Sequence, residues 1–169
     1  LACRLKPEED LVLEVVQWET VILTGTRAVT GAHRQGRGVA VDLGTTTVVA
    51  ELVDLSSGNV LGLRSSLNPQ AIYGSDVMSR VEAAARRGEG PALGALIRSR
   101  IGELVDELVR AHGPVGEVVI AGNTVMHHLF CGYDLRGLAG VPFETAFGEQ
   151  ATFEARELGW EFAAGAQVR

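Results

Sequence analysis

The chain has 169 residues, of which 46% are hydrophobic and 21% charged, and its formal net charge is −6. This length can bury a sizeable core in one domain, and the acidic balance argues against nucleic acid as a partner because a phosphate backbone demands a basic face. No apolar run approaches the roughly 20 residues that span a bilayer, so a membrane partner is not expected either.

Residues 1–37 form a first segment. Residues 11–16 and 20–23 are predicted short strands because they are runs of Leu, Val and Ile. Residues 24–37 are rich in Gly, Thr, Arg and Ala and have no hydrophobic period, which indicates a linker.

Three consecutive strands are predicted next. Residues 38–43 are an apolar run with one carboxylate, Asp42, near its end, and such a run is typical of a strand buried on both faces. The tight turn at residues 44–46 leads into a Val-rich strand at residues 47–54. A Ser-Ser-Gly-Asn hairpin signal then leads into a strand at residues 60–66, so all three strands are expected to be antiparallel.

Two helices follow. Asn68-Pro69-Gln70 breaks the sheet, and Ser75 is predicted to cap the first helix. The second helix is the clearest in the chain, and Gly113 followed by Pro114 ends it. Its predicted buried stripe consists of Leu93, Ile97, Ile101, Leu104, Val105 and Leu108.

The last regular elements are a strand at residues 117–121 and a helix at residues 125–130, joined by a turn at residues 122–124. The remainder is less periodic, and loops with a strand edge are expected at residues 141–143 and 147–148. Three antiparallel strands, then a helical crossover to a parallel fourth strand, is the ribonuclease-H-like order. The predicted fold class is therefore α/β of that type.

The motif Asp42-Leu43-Gly44-Thr45-Thr46-Thr47 predicts a phosphate site. Asp42 sits where a strand emerges from the sheet, so its carboxylate can hold Mg²⁺, directly or through water, beside a triphosphate. Gly44 lets the backbone approach an anion, and the N–H groups of Thr45, Thr46 and Thr47 can point at phosphate oxygens. The alternative is a polar turn between two core strands, but the flanking apolar strands and the hairpin that follows favour the phosphate site.

Asn123 is a second candidate for this site. Ligands of open α/β sheets collect at the carboxyl ends of strands, so Asn123 should face the same cleft as Asp42. Plain helix capping by Asn123 or Thr124 is an alternative, and the two roles are compatible.

Other polar residues have simpler structural explanations. The loop with Asn68, Gln70 and Asp76 could contact a substrate or partner, but a turn, a helix cap and a surface Arg80 explain it more simply. Adjacent helix residues point about 100° apart, so His127 and His128 are not expected to share a metal; one is expected to be packed and the other exposed.

The two cysteines, Cys3 and Cys131, are far apart and no CxxC pair is present, so the chain by itself is not expected to form a zinc or iron–sulfur site. Separated thiols are typical of a reducing compartment, which predicts a cytoplasmic location. Cys131, on an apolar helix face, is expected to be a small core residue. The chain begins without Met and ends with no closing element, so it is expected to be a piece of a longer protein.

Three stretches together resemble one family: residues 38–50 around Asp42, residues 67–80 with Asn-Pro-Gln and Tyr-Gly-Ser-Asp-Val-Met-Ser-Arg, and residues 121–129 with Ala-Gly-Asn-Thr-Val-Met-His-His-Leu. The combination resembles the ferredoxin-linked ASKHA proteins, ATP-dependent reductive activators of corrinoid proteins whose nucleotide-binding domain is of the actin/Hsp70/sugar-kinase type. The resemblance covers about residues 38–147 and is much more specific than the first motif alone.

The beginning of the chain also resembles that family. Cys3 and the strand after it look like the last cluster ligand and the closing strand of a plant-type [2Fe–2S] ferredoxin domain. The resemblance implies four segments: a ferredoxin remnant at residues 1–16, a linker at 17–37, the first ASKHA lobe at 38–147, and the start of a following segment at 148–169. The other cluster ligands are absent from the chain, so Cys3 would be a fourth [2Fe–2S] ligand only in the longer protein.

The resemblance implies a function for that longer protein. It would pass a low-potential electron from its [2Fe–2S] domain to cob(II)alamin in a corrinoid protein, with ATP and Mg²⁺ driving the transfer. Asp42, Gly44, Thr45, Thr46 and Thr47 would be its first phosphate motif; no catalytic residue is assigned. Because the second lobe lies outside the chain, the chain alone is expected to bind no cofactor and little or no ATP, and it is a candidate for self-association.

Two other function classes remain open. A small-molecule kinase of the same fold would use the polar loop after the third strand to bind a hydroxylated substrate. A scaffold of the actin or pilus type would use nucleotide only to assemble. Turnover of sugars or acids would favour the first, and nucleotide-dependent sedimentation of the full-length protein would favour the second.

Overall fold

The computed structural model describes residues 34–145 and 149–169. The two strands predicted at residues 11–16 and 20–23, most of the predicted linker, and Cys3 lie outside the described residues. None of the described helices combines the length and the apolar character that crossing a membrane requires.

The described strands form one sheet. Their bounds are β1 Arg37–Leu43, β2 Thr47–Asp54, β3 Val60–Leu67, β4 Glu117–Gly122, β5 Phe153–Glu154 and β6 Gln167–Val168. The α-helices are α1 Val77–Arg87, α2 Gly90–His112 and α3 Thr124–Cys131. Short 3-10 helices occur at Pro69–Ile72, Arg136–Leu138, Ala155–Leu158 and Glu161–Ala163.

The order of strands in the sheet is β3-β2-β1-β4-β6-β5. β1 pairs antiparallel with β2, and β2 pairs antiparallel with β3. After α1 and α2, the chain returns to the other side of β1 as β4, which runs parallel to β1. The predicted order of three antiparallel strands and a crossover to a parallel fourth strand is therefore confirmed.

The hairpin between β2 and β3 is fixed by Asp54. Its carboxylate accepts hydrogen bonds from the backbone N–H groups of Ser56 and Ser57, both at 2.9 Å. Hydrogen bonds from the Ser56 side chain, the Ser57 backbone and the Ser57 side chain lower the pKa of Asp54 to about 2. Gly58 takes a positive φ of 73°, as the hairpin signal requires.

The core lies on one face of the sheet. Along β1, Val39, Val41 and Leu43 are buried, whereas Ala40 and Asp42 are exposed on the opposite face. The prediction that this strand is buried on both faces was wrong. A run of small apolar residues does not distinguish a doubly covered strand from one whose second face carries Ala and a carboxylate.

α2 supplies the largest helical share of the core. Every residue of its predicted stripe is buried, with Leu93, Ile97 and Ile101 at 0% exposure. Its C-terminus is Gly113 with φ 95°, as the Gly-Pro signal indicates.

α1 differs from the prediction in two ways. Its N-cap is Asp76 rather than Ser75: the Asp76 carboxylate accepts from the Ser79 N–H at 2.9 Å in a capping box. Arg80, expected at the surface, is completely buried. The cap is a choice between two neighbouring residues that are equally good N-caps, Ser75 and Asp76. The burial of Arg80 depends on which side of the helix meets the loop before α1, and local sequence alone does not fix that side.

Residues 149–169 belong to the same sheet. β6 pairs parallel with β4, and β5 pairs antiparallel with β6. Trp160 anchors this segment to α2 because its indole N–H donates to the Arg98 carbonyl at 3.2 Å. Its ring lies so close to Gly102 that a Cβ there would be 2.6 Å from the indole nitrogen.

Candidate functional site

The site is built at the carboxyl end of β1. Asp42 is exposed on the open face of the sheet, between Val49 of β2 and Ala121 of β4. Among the described residues, no side chain forms a hydrogen bond or ion pair with its carboxylate. An unpaired carboxylate at a strand end is free to bind a hydrated cation.

The turn after Asp42 requires glycine. The Gly44 N–H donates to the Thr47 carbonyl at 3.0 Å, which closes the turn between β1 and β2. A Cβ on Gly44 would lie 2.5 Å from that same carbonyl oxygen, well inside van der Waals contact. The close approach of two backbone segments, rather than a positive φ, selects glycine here.

The turn leaves two backbone donors unused. Thr45 is half-buried and Thr46 is exposed, and neither lies within a strand. Within the described part of the chain, no acceptor binds the N–H group of either residue. Free N–H groups on a turn that follows a carboxylate are available to donate to anion oxygens.

Asn123 reaches the same turn from β4. Its Oδ1 accepts from the Met126 N–H at 3.1 Å and so caps α3, and its Nδ2 donates to Thr45 Oγ1 at 3.2 Å. The expected position facing the Asp42 cleft and the expected capping are therefore both present in one side chain. Contact of Asn123 with phosphate stays a prediction.

Asn68 is a site residue that the sequence reasoning missed. It is 1% exposed and faces inward. Its Nδ2 donates to the Gly44 carbonyl at 2.9 Å, and its backbone N–H donates to the Thr46 carbonyl at 2.7 Å. The sequence places Asn68 in a polar loop with a simple turn and cap role, whereas in the structure its amide binds the backbone of the turn between β1 and β2.

Two buried polar side chains support Asn68. Gln70 and Arg80 are both 0% exposed. Arg80 donates to Gln70 Oε1 at 3.2 Å and to the Gly74 carbonyl at 2.9 Å, and Gln70 donates to the Leu93 carbonyl at 3.0 Å. Burial lowers the pKa of Arg80, and the nearby Asp76 charge opposes that shift. The only sequence signal for this group was the density of polar residues in an otherwise ordered region.

A cavity of about 310 Å³ opens beside the turn, on the other side of Leu43 and Gly122. His127 and Cys131, one helical turn apart on α3, contribute to its wall together with Glu149 and Arg169. Burial, with a smaller effect of His128, lowers the pKa of His127, and burial raises the pKa of the Cys131 thiol. Both groups are therefore neutral at pH 7.

The two adjacent histidines have different environments. His128 is fully buried with its Nδ1 2.8 Å from the Thr124 carbonyl, so that nitrogen carries the proton, whereas His127 is half-buried. In the described ranges, no three His, Cys, Asp or Glu side chains cluster closely enough to hold a metal ion.

Comparison with known proteins gives a consistent result. The family described as the RACo middle region matches residues 37–169. The corrinoid activation enzyme RamQ of Eubacterium limosum is 34% identical over 114 residues, which cover 63% of this chain and 19% of that protein. A solved structure of a reductive activator for a corrinoid, iron–sulfur protein superposes with a TM-score of 0.71 at 37% identity, covering 82% of this chain and 23% of that one.

The chain thus spans about a fifth of the curated relative. Together with the strand order, the similarity identifies the fold as the first lobe of the actin/Hsp70-like ASKHA class. The ethanolamine utilization protein EutJ from Carboxydothermus hydrogenoformans is more distant, with 15% identity and a TM-score of 0.34 over 59% of this chain and 43% of that one.

Proposed function

This chain belongs to the RACo middle region family, and on that premise we propose that it is the first phosphate-binding lobe of an ATP-dependent activator of a corrinoid protein. The full-length activator transfers one electron from a [2Fe–2S] domain to cob(II)alamin in its partner, which yields cob(I)alamin. Support comes from the names of the relatives, which are a corrinoid activation enzyme and a reductive activator for a corrinoid, iron–sulfur protein.

The observation that carries the proposal is the turn between β1 and β2. The unused N–H groups of Thr45 and Thr46 follow an unpaired carboxylate, Asp42, in the chain, and the Asn123 amide donates to the Thr45 side chain. In this proposal the two N–H groups donate to phosphate oxygens, and Asp42 takes magnesium directly or through water. Asn123 fixes the Thr45 side chain at the rim of the turn.

The remaining cofactors belong to the full-length protein. ATP with magnesium supplies the free energy that makes electron transfer to a low-potential cobalt centre favourable. Cys3, outside the described residues, is proposed as the fourth ligand of the [2Fe–2S] cluster. A cluster of low potential and a free thiol at Cys131 fit a reducing compartment such as the cytoplasm.

The test compares Asp42→Asn with Glu51→Gln in the full-length protein. Both carboxylates lie on the open face of the sheet, and Glu51 pairs in register with Ala40, two residues before Asp42. Loss of a magnesium-positioning carboxylate is expected to weaken MgATP binding by about 10- to 100-fold. The Glu51→Gln protein should bind as the unmodified protein does.

Two measurements complete the test. Calorimetric titration gives the MgATP affinity, and absorption spectroscopy of the corrinoid partner follows the loss of cob(II)alamin with and without ATP. ATP-dependent reduction that survives Asp42→Asn unchanged, or that is absent from the unmodified protein, contradicts the proposed function.

A further inference from the structure

The orientation of the phosphate turn depends on its carbonyl groups. In a trans peptide, the C=O and the N–H of the same unit point in opposite directions. The Gly44 carbonyl points at the Asn68 amide and the Thr46 carbonyl points at the Asn68 backbone N–H, at 2.9 and 2.7 Å. The N–H groups of Thr45 and Thr47 are therefore directed away from Asn68, and Thr45 is one of the two turn residues whose N–H group is left unused.

Asn68 is itself fixed in one orientation. Its Oδ1 accepts from the Gln70 N–H at 2.9 Å, so the amide nitrogen must face Gly44. Its Nδ2 also lies 3.7 Å from the Met126 sulfur, at the start of α3. A residue that joins the turn, the loop after β3 and α3 is well placed to set their relative positions.

Arg80 holds this loop from the side of α1. Its guanidinium is fully buried and binds Gln70 Oε1 and the Gly74 carbonyl, at the two ends of the loop. None of the described carboxylates forms an ion pair with it. A buried cation without a paired anion lowers stability. Packing alone therefore does not explain why Arg80 is buried, and its guanidinium instead offers several N–H donors in a fixed planar arrangement.

We propose that Asn68 is the positioning residue of the phosphate turn and that Arg80, acting through Gln70, holds Asn68 in register. The proposed ligand of the turn rests on the proposed function, whereas the positioning of the backbone does not. The two parts can therefore be tested separately.

The variant Asn68→Asp isolates the positioning contact. An Asp at this position still accepts from the Gln70 N–H, because Asn and Asp cap equally well, but it cannot donate to the Gly44 carbonyl. Hydrogen exchange of this chain, followed by NMR, should show the Gly44 amide exchanging about fivefold faster, as loss of one ordinary hydrogen bond implies. The amides of Gln70 and Val118 should not change.

A second pair of variants covers the case in which Asn68→Asp does not fold. Arg80→Met removes the donors but keeps an unbranched side chain, and Arg86→Met makes the same change at an exposed position of the same helix. Faster exchange at Gly44 in Arg80→Met but not in Arg86→Met supports the proposal. An unchanged Gly44 rate overturns it because the turn then does not depend on Arg80, and uniform acceleration across the sheet overturns it because that result indicates a general structural role.

The ligand is tested in the full-length protein with MgATP as the probe. Arg80→Met is expected to raise the dissociation constant about fivefold, with Arg86→Met unchanged. If the unmodified protein fails to bind MgATP while Gly44 exchange responds as expected, the proposed function fails and the positioning role stands. If MgATP binds and Gly44 exchange is insensitive to both Asn68→Asp and Arg80→Met, the positioning role fails and the proposed function stands.

Discussion

Gly44 illustrates how one backbone contact constrains the site. Its missing Cβ makes room for the Thr47 carbonyl, which accepts the Gly44 N–H in the same turn. Any larger side chain must push the two strands apart at the point where the Thr45 and Thr46 N–H groups are presented. The stability of the chain and the orientation of the Thr45 and Thr46 N–H groups therefore both depend on the absence of a Cβ at residue 44.

Gly44→Ala is expected to destabilise the chain by about 1–3 kcal/mol, since the added methyl group forces local strain. Gly116→Ala is the matched control: a Cβ there meets nothing within 4 Å, so its effect should be neutral or stabilising by up to about 1 kcal/mol. Urea denaturation of both variants measures the difference. Equal unfolding free energies for Gly44→Ala and the unmodified chain would show that the turn relaxes without strain.

The sequence predicted that Asn123 lies at the same end of the sheet as Asp42 but did not predict the contacts behind the turn. Asp42 and Asn123 could be placed together because each lies at the carboxyl end of a strand, and neighbouring parallel strands end at the same side of a sheet. Asn68 and Arg80 act through contacts across 24 and 10 residues of sequence, with Gly44 and Gln70 respectively. Burial of such polar groups depends on the packing of three elements around them. No local sequence pattern predicts that packing.

At the level of elements, strongly periodic segments were predictable and short ones were not. α2 extends over 23 residues and repeats its apolar positions several times, so its buried stripe was correctly identified. β5 and β6 have two residues each, too few for any period, and they form only because β4 offers an edge for pairing. Tertiary pairing, rather than propensity, creates these two strands.

The N-terminus of α1 provides a test at this level. Asp76→Ala removes the side-chain acceptor of the capping box and is expected to cost about 1 kcal/mol. Ser75→Ala changes the residue that sequence alone favoured as the cap, and it should stay within about 0.5 kcal/mol of the unmodified chain. Chemical denaturation monitored by circular dichroism distinguishes the two, and a larger loss for Ser75→Ala would assign the cap to the wrong residue.

For the whole molecule, the sheet has one covered and one open face. The core of α2, α3 and the inner faces of β1 and β4 is continuous with Trp160 and Val168 from the last segment. On the open face, Asp42 stays exposed and Val119 is 39% exposed. The turn between β1 and β2 is thus supported from one side, while Thr46 in the turn is exposed to solvent.

This one-sided arrangement limits what the chain can bind alone. Each charge-assisted hydrogen bond from the Thr45 or Thr46 N–H contributes about 1.5–3 kcal/mol, so two of them supply about 3–6 kcal/mol and fall short of the roughly 8 kcal/mol that corresponds to a micromolar Kd. The corrinoid activation enzyme and the reductive activator are far longer, since the chain spans 19% of one and 23% of the other. On the proposed function, the remaining contacts to the nucleotide come from segments outside this chain.

We therefore expect no measurable binding when this chain is titrated with MgATP at micromolar concentrations in a calorimeter. The full-length protein under the same conditions is the positive control, because it adds contacts that two backbone donors cannot replace. Adding inorganic triphosphate instead of ATP separates the phosphate contribution from that of the base. Micromolar affinity of the chain alone would mean that the chain already forms a complete nucleotide site. The expectation that contacts from outside this chain are needed would then be wrong.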